Sequence, residues 1–190
     1  MLSIEQKNAN ENKFMELLSR LNIDLTEISK FLDQVDYFNK PASAQYAGAY
    51  PGGLCEHALK LAHELGVLCN AYCPGKYTEA DVIKVALFKD LYKATMYEAY
   101  MKNVKNEETG QWMQVPAYRT REGNARPVFG DLGFSSYMQI KQLVPLTDEQ
   151  LLAIVHSRPV DFAPDIHEVM RAYTLVSLVR MAEIAANYIN

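Results

Sequence analysis

Thr78-Glu79-Ala80-Asp81-Val82-Ile83-Lys84-Val85-Ala86-Leu87-Phe88-Lys89-Asp90-Leu91-Tyr92-Lys93 reads as a capped amphipathic helix with a carboxylate where a hydrocarbon belongs. The Thr78 hydroxyl can accept a first-turn N–H, and Asp81 three residues on completes a capping box. At ~100° per residue, Ile83, Ala86, Leu87 and Ala94 share one face, and the pattern predicts a helix running on towards Tyr97. Asp90 falls in the middle of that face. An ionised carboxylate is costly to bury alone, so Asp90 needs a cation, a metal or a cluster of donors. The sequence offers Lys89, Lys93 and His57 as partners. Two readings stay open from the residues alone: a structural Asp paired with a Lys, and an anion- or metal-binding site.

Upstream, a helix is expected from about Leu54 to Asn70, with Leu54, Ala58, Leu61, Leu65 and Leu68 buried, His57 at the edge of that face and His63 in solvent. Residues 39–53 read as an ordered loop, because Asn39-Lys40-Pro41 and Pro51-Gly52-Gly53 interrupt helix. Before it stand two amphipathic stretches. One carries Phe14, Leu17, Leu18 and Leu21; the other carries Ile28, Phe31, Leu32 and Val35, with Thr26 as its expected N-cap.

Downstream, Val104 to Tyr118 holds Glu107-Glu108-Thr109-Gly110 between two short stretches, the pattern of a small β-hairpin or extended flap. A short helix is expected around 136–143, and another opens at Thr147 with Gln150 completing its box. A last helix from about Asp165 to Ile189 is apolar over most of its circumference and is expected to run through the middle of the core. Its Arg180, Glu183 and Asn187 form a polar stripe, read as solvent-facing with an Arg180–Glu183 pair. His156 and His167 are isolated. The expected fold class is mainly all-α with one β-hairpin insertion. One domain is expected over 1–190: N-terminal helices 1–38, core 39–97, flap 98–129 and C-terminal helices 134–190.

The chain has 190 residues, 49% of them hydrophobic, which suits a single core. Nineteen Lys+Arg against 23 Asp+Glu give a net charge of −4. Without basic runs this makes nucleic acid or an anionic membrane a poor partner, and Arg119, Arg121 and Arg126 form only a small local patch. No apolar run approaches the ~20 residues that span a bilayer. The N-terminus lacks a cationic stretch followed by an apolar one, so no signal peptide is expected. Cys55, Cys69 and Cys73 read as structural thiols in a reducing, cytoplasmic setting.

Pro41-Ala42-Ser43, followed by Tyr46-Ala47-Gly48-Ala49-Tyr50-Pro51-Gly52-Gly53-Leu54-Cys55-Glu56-His57, resembles the leading segment of HD-domain phosphohydrolases. The likeness is closest to small HD proteins encoded by bacteriophages and to HD-type exoribonuclease domains. Val85-Ala86-Leu87-Phe88-Lys89-Asp90-Leu91-Tyr92-Lys93 is similar to the family's defining stretch, His-Asp with a Lys three residues after the Asp. Asn103-Val104-Lys105, Gly110-Gln111-Trp112 and Val115-Pro116-Ala117-Tyr118 are similar to a flap of the phage members. The resemblance runs in order from about residue 12 to 188. It implies an HD-like helical bundle in which a divalent metal, held by a His, the His-Asp pair and a distal Asp, activates water against a phosphoester or phosphoanhydride. Residue by residue, it assigns the first ligand to His57, the Asp of the pair to Asp90 and the phosphate-contacting Lys to Lys93.

The chain departs from that pattern where the chemistry is most exacting. Lys89 stands in place of the name-giving His, and Glu183, one methylene longer, in place of the distal Asp. Ala47 replaces a His common after the loop Tyr, and Gly130-Asp131-Leu132-Gly133 stands where phage relatives carry a His-Glu pair. His156 lies near a family histidine position. A protonated Lys offers no lone pair to a metal. At ~4 Å and an effective dielectric of ~20, it opposes an incoming cation by about 4 kcal/mol per unit charge before desolvation. The expectation is that the Lys89 ammonium takes over the metal's electrostatic role towards Asp90 and Glu183, with His57 completing the cluster. The fold would be kept and hydrolysis lost, leaving a structural, interaction or phosphate-ligand-binding module with Lys89 and Lys93 as its charged groups and no cofactor. Its partner would be a protein or a second copy, in the host cytoplasm or the virion. The alternative is an active phosphohydrolase using Mn, Fe, Ni or Mg on His57, Asp90 and Glu183, with His156 as a further ligand candidate. Asp90 and Lys93 would then be catalytic, and a nucleotide, cyclic nucleotide or short oligonucleotide the substrate.

Overall fold

A computed structural model describes residues 2–122, 131–158 and 165–189. Gly130 and Arg126, singled out above, lie outside the described residues. The first helix, α1 (Ile4–Ser19), starts in a Ser3–Gln6 capping box and buries Phe14 and Leu18. The second, α2 (Leu25–Gln34), is capped by Asp24, which accepts from the backbone N–H groups of Thr26 and Glu27. This corrects the expected Thr26 cap. Asp24 sits one residue before the first helical position, where its carboxylate meets both orphan donors and the positive end of the helix dipole. Asp24→Ala is expected to cost about 1 kcal/mol in urea unfolding, and Thr26→Ala clearly less.

A short 3-10 turn, Tyr37–Asn39, packs Tyr37 and Phe38 against Phe14 with ring centroids 5.1–5.4 Å apart. The following loop closes on itself through Ala42 N donating to Gly48 O, and Leu54 N donating to Lys40 O. It delivers the chain to α3 (Gly53–Tyr72), which buries Leu54, Ala58, Leu61 and Leu65 as the periodicity predicts and leaves His63 exposed, while Leu68 is only half-buried and His57, expected at the edge, is buried. A side chain at Gly53 would bring its Cβ to 2.2 Å from the Gly48 carbonyl oxygen, so only glycine lets the loop pass the helix start.

The helix that begins at Thr78 does so in the expected Thr78–Asp81 box, but it does not run unbroken to Tyr97. It forms α4 (Glu79–Phe88), a tight turn, and α5 (Tyr92–Met96). Across the turn, Leu91 N bonds to Phe88 O, Lys93 N to Asp90 O and Ala94 N to Leu91 O, all three residues back. The break is held from outside. Ser136 Oγ donates to Lys89 O at 2.7 Å and accepts from Tyr92 N at 3.0 Å, so a side chain serves the groups that helical bonds would have used.

The hairpin forms as β1 (Tyr97–Lys105) paired antiparallel with β2 (Trp112–Thr120). Asn106 Oδ1 accepts from the N–H groups of Glu108 and Thr109, and Gly110 takes φ 71°, a side-chain-braced turn ending in the left-handed residue that such loops require. Helix α6 (Leu132–Ile140) starts four residues before the expected 136, because Asp131 accepts from Phe134 N and caps it there. The Thr147–Gln150 box opens α7 (Asp148–Val155) as expected.

The single terminal helix is also corrected. It divides at Tyr173 (φ −124°, ψ 95°) into α8 (Ile166–Ala172) and α9 (Thr174–Tyr188). Glu149 of α7 draws the break inwards by accepting from Leu175 N at 3.1 Å. Nor does α9 run through the middle: Val176, Val179, Ala182 and Ala186 are buried, while Met181, Ile184 and Tyr188 are exposed. The centre is α3, flanked by α1, α4 and α9. The result is a mainly helical protein with one two-stranded sheet, and no helix among the described residues is long and apolar enough to cross a membrane.

Candidate functional site: a lysine-bridged carboxylate pair

The central helix and three further segments meet at one buried point. From the second turn of α3 comes His57, from the break after α4 come Lys89 and Asp90, from the start of α5 comes Lys93, and from α9 comes Glu183. The helix break explains how Lys89 and Asp90 both reach it: adjacent residues of a regular helix diverge by ~100°, whereas a tight turn lets both side chains face one partner.

Lys89 Nζ lies 2.8 Å from Asp90 Oδ2 and 2.7 Å from Glu183 Oε2, and Lys89 is only 1% exposed. Lys93 Nζ is a second donor to Asp90 Oδ2, at 3.0 Å. His57 Nε2 stands 3.2 Å from both Asp90 Oδ2 and Glu183 Oε2. Asn187 Nδ2, one turn along α9, donates to Glu183 Oε1 at 2.9 Å and to Glu183 O at 3.0 Å, which fixes that carboxylate's rotamer. With His57 neutral, two ammonium groups balance two carboxylates.

Arg180, Glu183 and Asn187 are therefore not a solvent-facing strip, which corrects that reading. Glu183 and Asn187 turn inwards to the cluster, and Arg180 is buried, donating from Nη1 to His156 O at 2.9 Å. The cluster shows why a narrow polar stripe on an apolar helix can be a buried network and not a wetted one. His156 ends α7 and enters this contact through its backbone carbonyl; the converging His, Asp and Glu donors are His57, Asp90 and Glu183. Arg119 pairs with Glu98 at 2.7 Å on the hairpin.

Two participants had no assigned role in the sequence. Asn187 is legible in retrospect as the i+4 neighbour of Glu183 on one helix face. Ser136 carries no local signal, because its bonds to residues 89 and 92 are set entirely by tertiary packing.

The three donor atoms of His57, Asp90 and Glu183 lie within 4.8 Å of one another, a spacing a divalent ion could span. The fourth group works against it. An ammonium already donates to Asp90 Oδ2 and Glu183 Oε2, and it brings positive charge in place of a lone pair. With Lys89 beside them, the three ligand atoms fit a cation less well than they would alone.

Burial opposes charge on every member, and the partners reverse its effect. Burial raises the Glu183 carboxyl, but the Lys89 ammonium and the His57 hydrogen bond bring it down to about 2. Asp90 is held well below the usual carboxylate range against burial by Lys89 and Lys93, then by His57. Burial lowers His57, yet its bonds to Asp90 and Glu183 leave it above its ordinary 6.5. A depressed carboxyl stabilises the fold above its ordinary value and loses that contribution as pH falls. A raised histidine stabilises below its ordinary value and loses its contribution as pH climbs. Thermal melts are thus expected to peak between about pH 5 and 6.5, falling on both sides, and the acid limb is expected to be shallower in Glu183→Gln. All three cysteines are free, and burial pushes the Cys55 thiol up to about 12 and Cys69 up to about 11, as befits unreactive core thiols.

Beside His57 lies a cleft of about 50 Å³, lined by Ala47, Gly48, Tyr50, Lys60 and Asn187 among others. Tyr50 donates to Glu56 at its rim, and Lys60 sits 3.6 Å from the same side chain. Small-molecule pockets run to roughly 300–1,000 Å³, so this space suits waters or a small ion and not a nucleotide. No family model matches the chain, and neither does any curated protein or solved structure.

Proposed function

We propose that this chain is a degenerate HD-like helical protein, in which an internal ion-pair cluster has replaced a catalytic metal and the fold serves as a structural or interaction module. The observation that carries the reading is the position of Lys89 Nζ, within hydrogen-bonding distance of both carboxylates. A metal-bound water as nucleophile requires an open coordination position, and here the cation is a side chain with nothing to exchange. The small cleft supports the same conclusion by leaving no room for a nucleotide beside His57. Of the two kinds of module, an interaction protein is favoured over a phosphate-ligand binder, because Lys89 and Lys93 both spend their charge on Asp90. On this reading the protein acts through its surface, in the host cytoplasm or the virion if it is phage-encoded.

Turnover tests it. The wild-type protein with Mn²⁺ is expected to leave a panel of nucleotides, cyclic nucleotides and short oligonucleotides uncleaved. Hydrolysis that co-purifies with the protein and disappears in Asp90→Ala would overturn the reading in favour of an active phosphohydrolase.

A further inference from the structure

The hairpin is little explained by its own packing. Nine residues per strand give a ribbon roughly 30 Å long. Its exposed large apolar side chains are Met101, Trp112 and Met113, the last two beside the turn. A two-stranded sheet alone is marginal in water, and three or more strands with packed faces are the usual minimum.

Its two edges differ. In an antiparallel pair, alternate residues exchange main-chain bonds with the partner strand, and those between them turn N–H and C=O outwards. Arg121 N donating to Met96 O at 2.9 Å, and Asn106 N donating to Gln111 O at 2.8 Å, set the phase at the two ends of the ladder. The inward-bonding residues of β1 are consequently the even-numbered ones, and Ala99, Met101, Asn103 and Lys105 turn outwards. All four are exposed, and no described residue bonds to their main chain. On β2 the outward set includes Pro116, opposite Met101. Proline has no N–H, so β2 presents an interrupted edge while β1 presents a continuous one.

The geometry points to β1 pairing antiparallel with β1 of a second copy of this chain, giving a four-stranded sheet in the order β2-β1-β1-β2. The charges on the strand favour self-pairing in one register. The outward groups can meet in phase when the two-fold axis falls at Tyr100, Met101 or Lys102. An axis at Lys102 sets that lysine opposite its own copy, and an axis at Met101 sets Glu98 opposite Val104. Only the axis at Tyr100 places Glu98 directly opposite the partner's Lys102, twice, on either side of a Tyr100–Tyr100 pair. These would be non-hydrogen-bonded positions, where facing side chains come closest. Arg119 engages Glu98 through Oε1, leaving Oε2 for that lysine. Growth stops at four strands, because each outer edge is then a β2 interrupted by Pro116. This goes beyond the proposed function and uses no property of the buried cluster. Metal uptake or turnover by the wild-type protein would overturn that reading and leave this one standing.

Sedimentation equilibrium of the full chain tests it with four variants. Met101→Pro removes one outward N–H and no ladder bond, the same change that Pro116 already makes across the strand pair. It is expected to raise the dimer dissociation constant at least ~10-fold, with the circular dichroism of wild type. Gln114→Pro makes the equivalent change on the outer edge of β2 and is expected to leave the dimer intact. Lys102→Glu sets Glu98 against a glutamate and is expected to weaken the dimer several-fold, with the effect fading as salt is raised. A wild-type protein monomeric at about 100 µM overturns the inference, as does a Gln114→Pro variant as impaired as Met101→Pro. Should Met101→Pro disturb the hairpin, Lys102→Glu decides alone, and unchanged association overturns the inference. So does a dimer lost in Ile184→Asp but kept in Lys102→Glu, which would assign association to the exposed face of α9.

Discussion

Lys89→Ala is expected to lower folding stability by about 3–5 kcal/mol, the range for removing one partner of a buried ion pair. The lysine is 1% exposed, and its ammonium serves Asp90 and Glu183 together. Without it two carboxylates would share a buried site with only Lys93 and His57 to balance them. The loss should shrink as pH falls, since protonated carboxyls no longer need the cation. It should also be strongly non-additive. Lys89→Met combined with Asp90→Asn and Glu183→Gln removes the charges together and is expected to be less damaging than Lys89→Met alone. Urea unfolding of the four proteins measures this. A Lys89→Ala variant within ~1 kcal/mol of wild type would mean that the cluster is wetted and not a buried network.

Gly133→Ala is expected to cost about 3 kcal/mol, towards the upper end for overpacking. A Cβ at that position would lie 2.2 Å from the Val155 carbonyl oxygen and 2.7 Å from that of Ile154. Both contacts are backbone, so no rotamer change relieves them, and α6 has to move away from α7. The same helix carries Ser136, which holds the break at Lys89 and Tyr92, so the displacement also loosens the cluster. Thermal unfolding beside Leu132→Ala, a truncation one residue earlier, is the measurement. A Gly133→Ala melting temperature equal to that of wild type would contradict the close approach of the two helices.

The fold was legible where local chemistry decides it. The Thr78 and Thr147 boxes, the face of α3 and the hairpin follow from capping, periodicity and turn residues. Both helices expected to run unbroken divide for one reason. Their breaks at residues 89–91 and 173 carry no proline or glycine and are stabilised by Ser136 and Glu149 from elsewhere in the chain. Tertiary donors and acceptors replaced the helical bonds, and a single helix's propensity cannot register them. The candidate site was half visible. Asp90 declared itself as a carboxylate on an apolar face. Glu183 reads as a solvent-facing residue on its own helix, but α9 turns that side against α3.

The hairpin and the cluster divide the protein into two parts with different demands. The buried charges fix the junction of α3, α4, α5 and α9, which is a matter of internal order. The exposed strand edge offers main-chain donors and acceptors to another chain, which is a matter of association. On the proposed reading, the first would serve as a scaffold for the second.

Isothermal titration of Mn²⁺ into wild type and Lys89→His tests the central claim most directly. An imidazole at position 89 restores a lone pair and removes the resident charge, so Lys89→His is expected to bind one ion saturably, and wild type to give no saturable binding. Tight one-to-one binding by the wild-type protein, lost in Asp90→Ala, would show that the ammonium yields to a metal and would contradict the account.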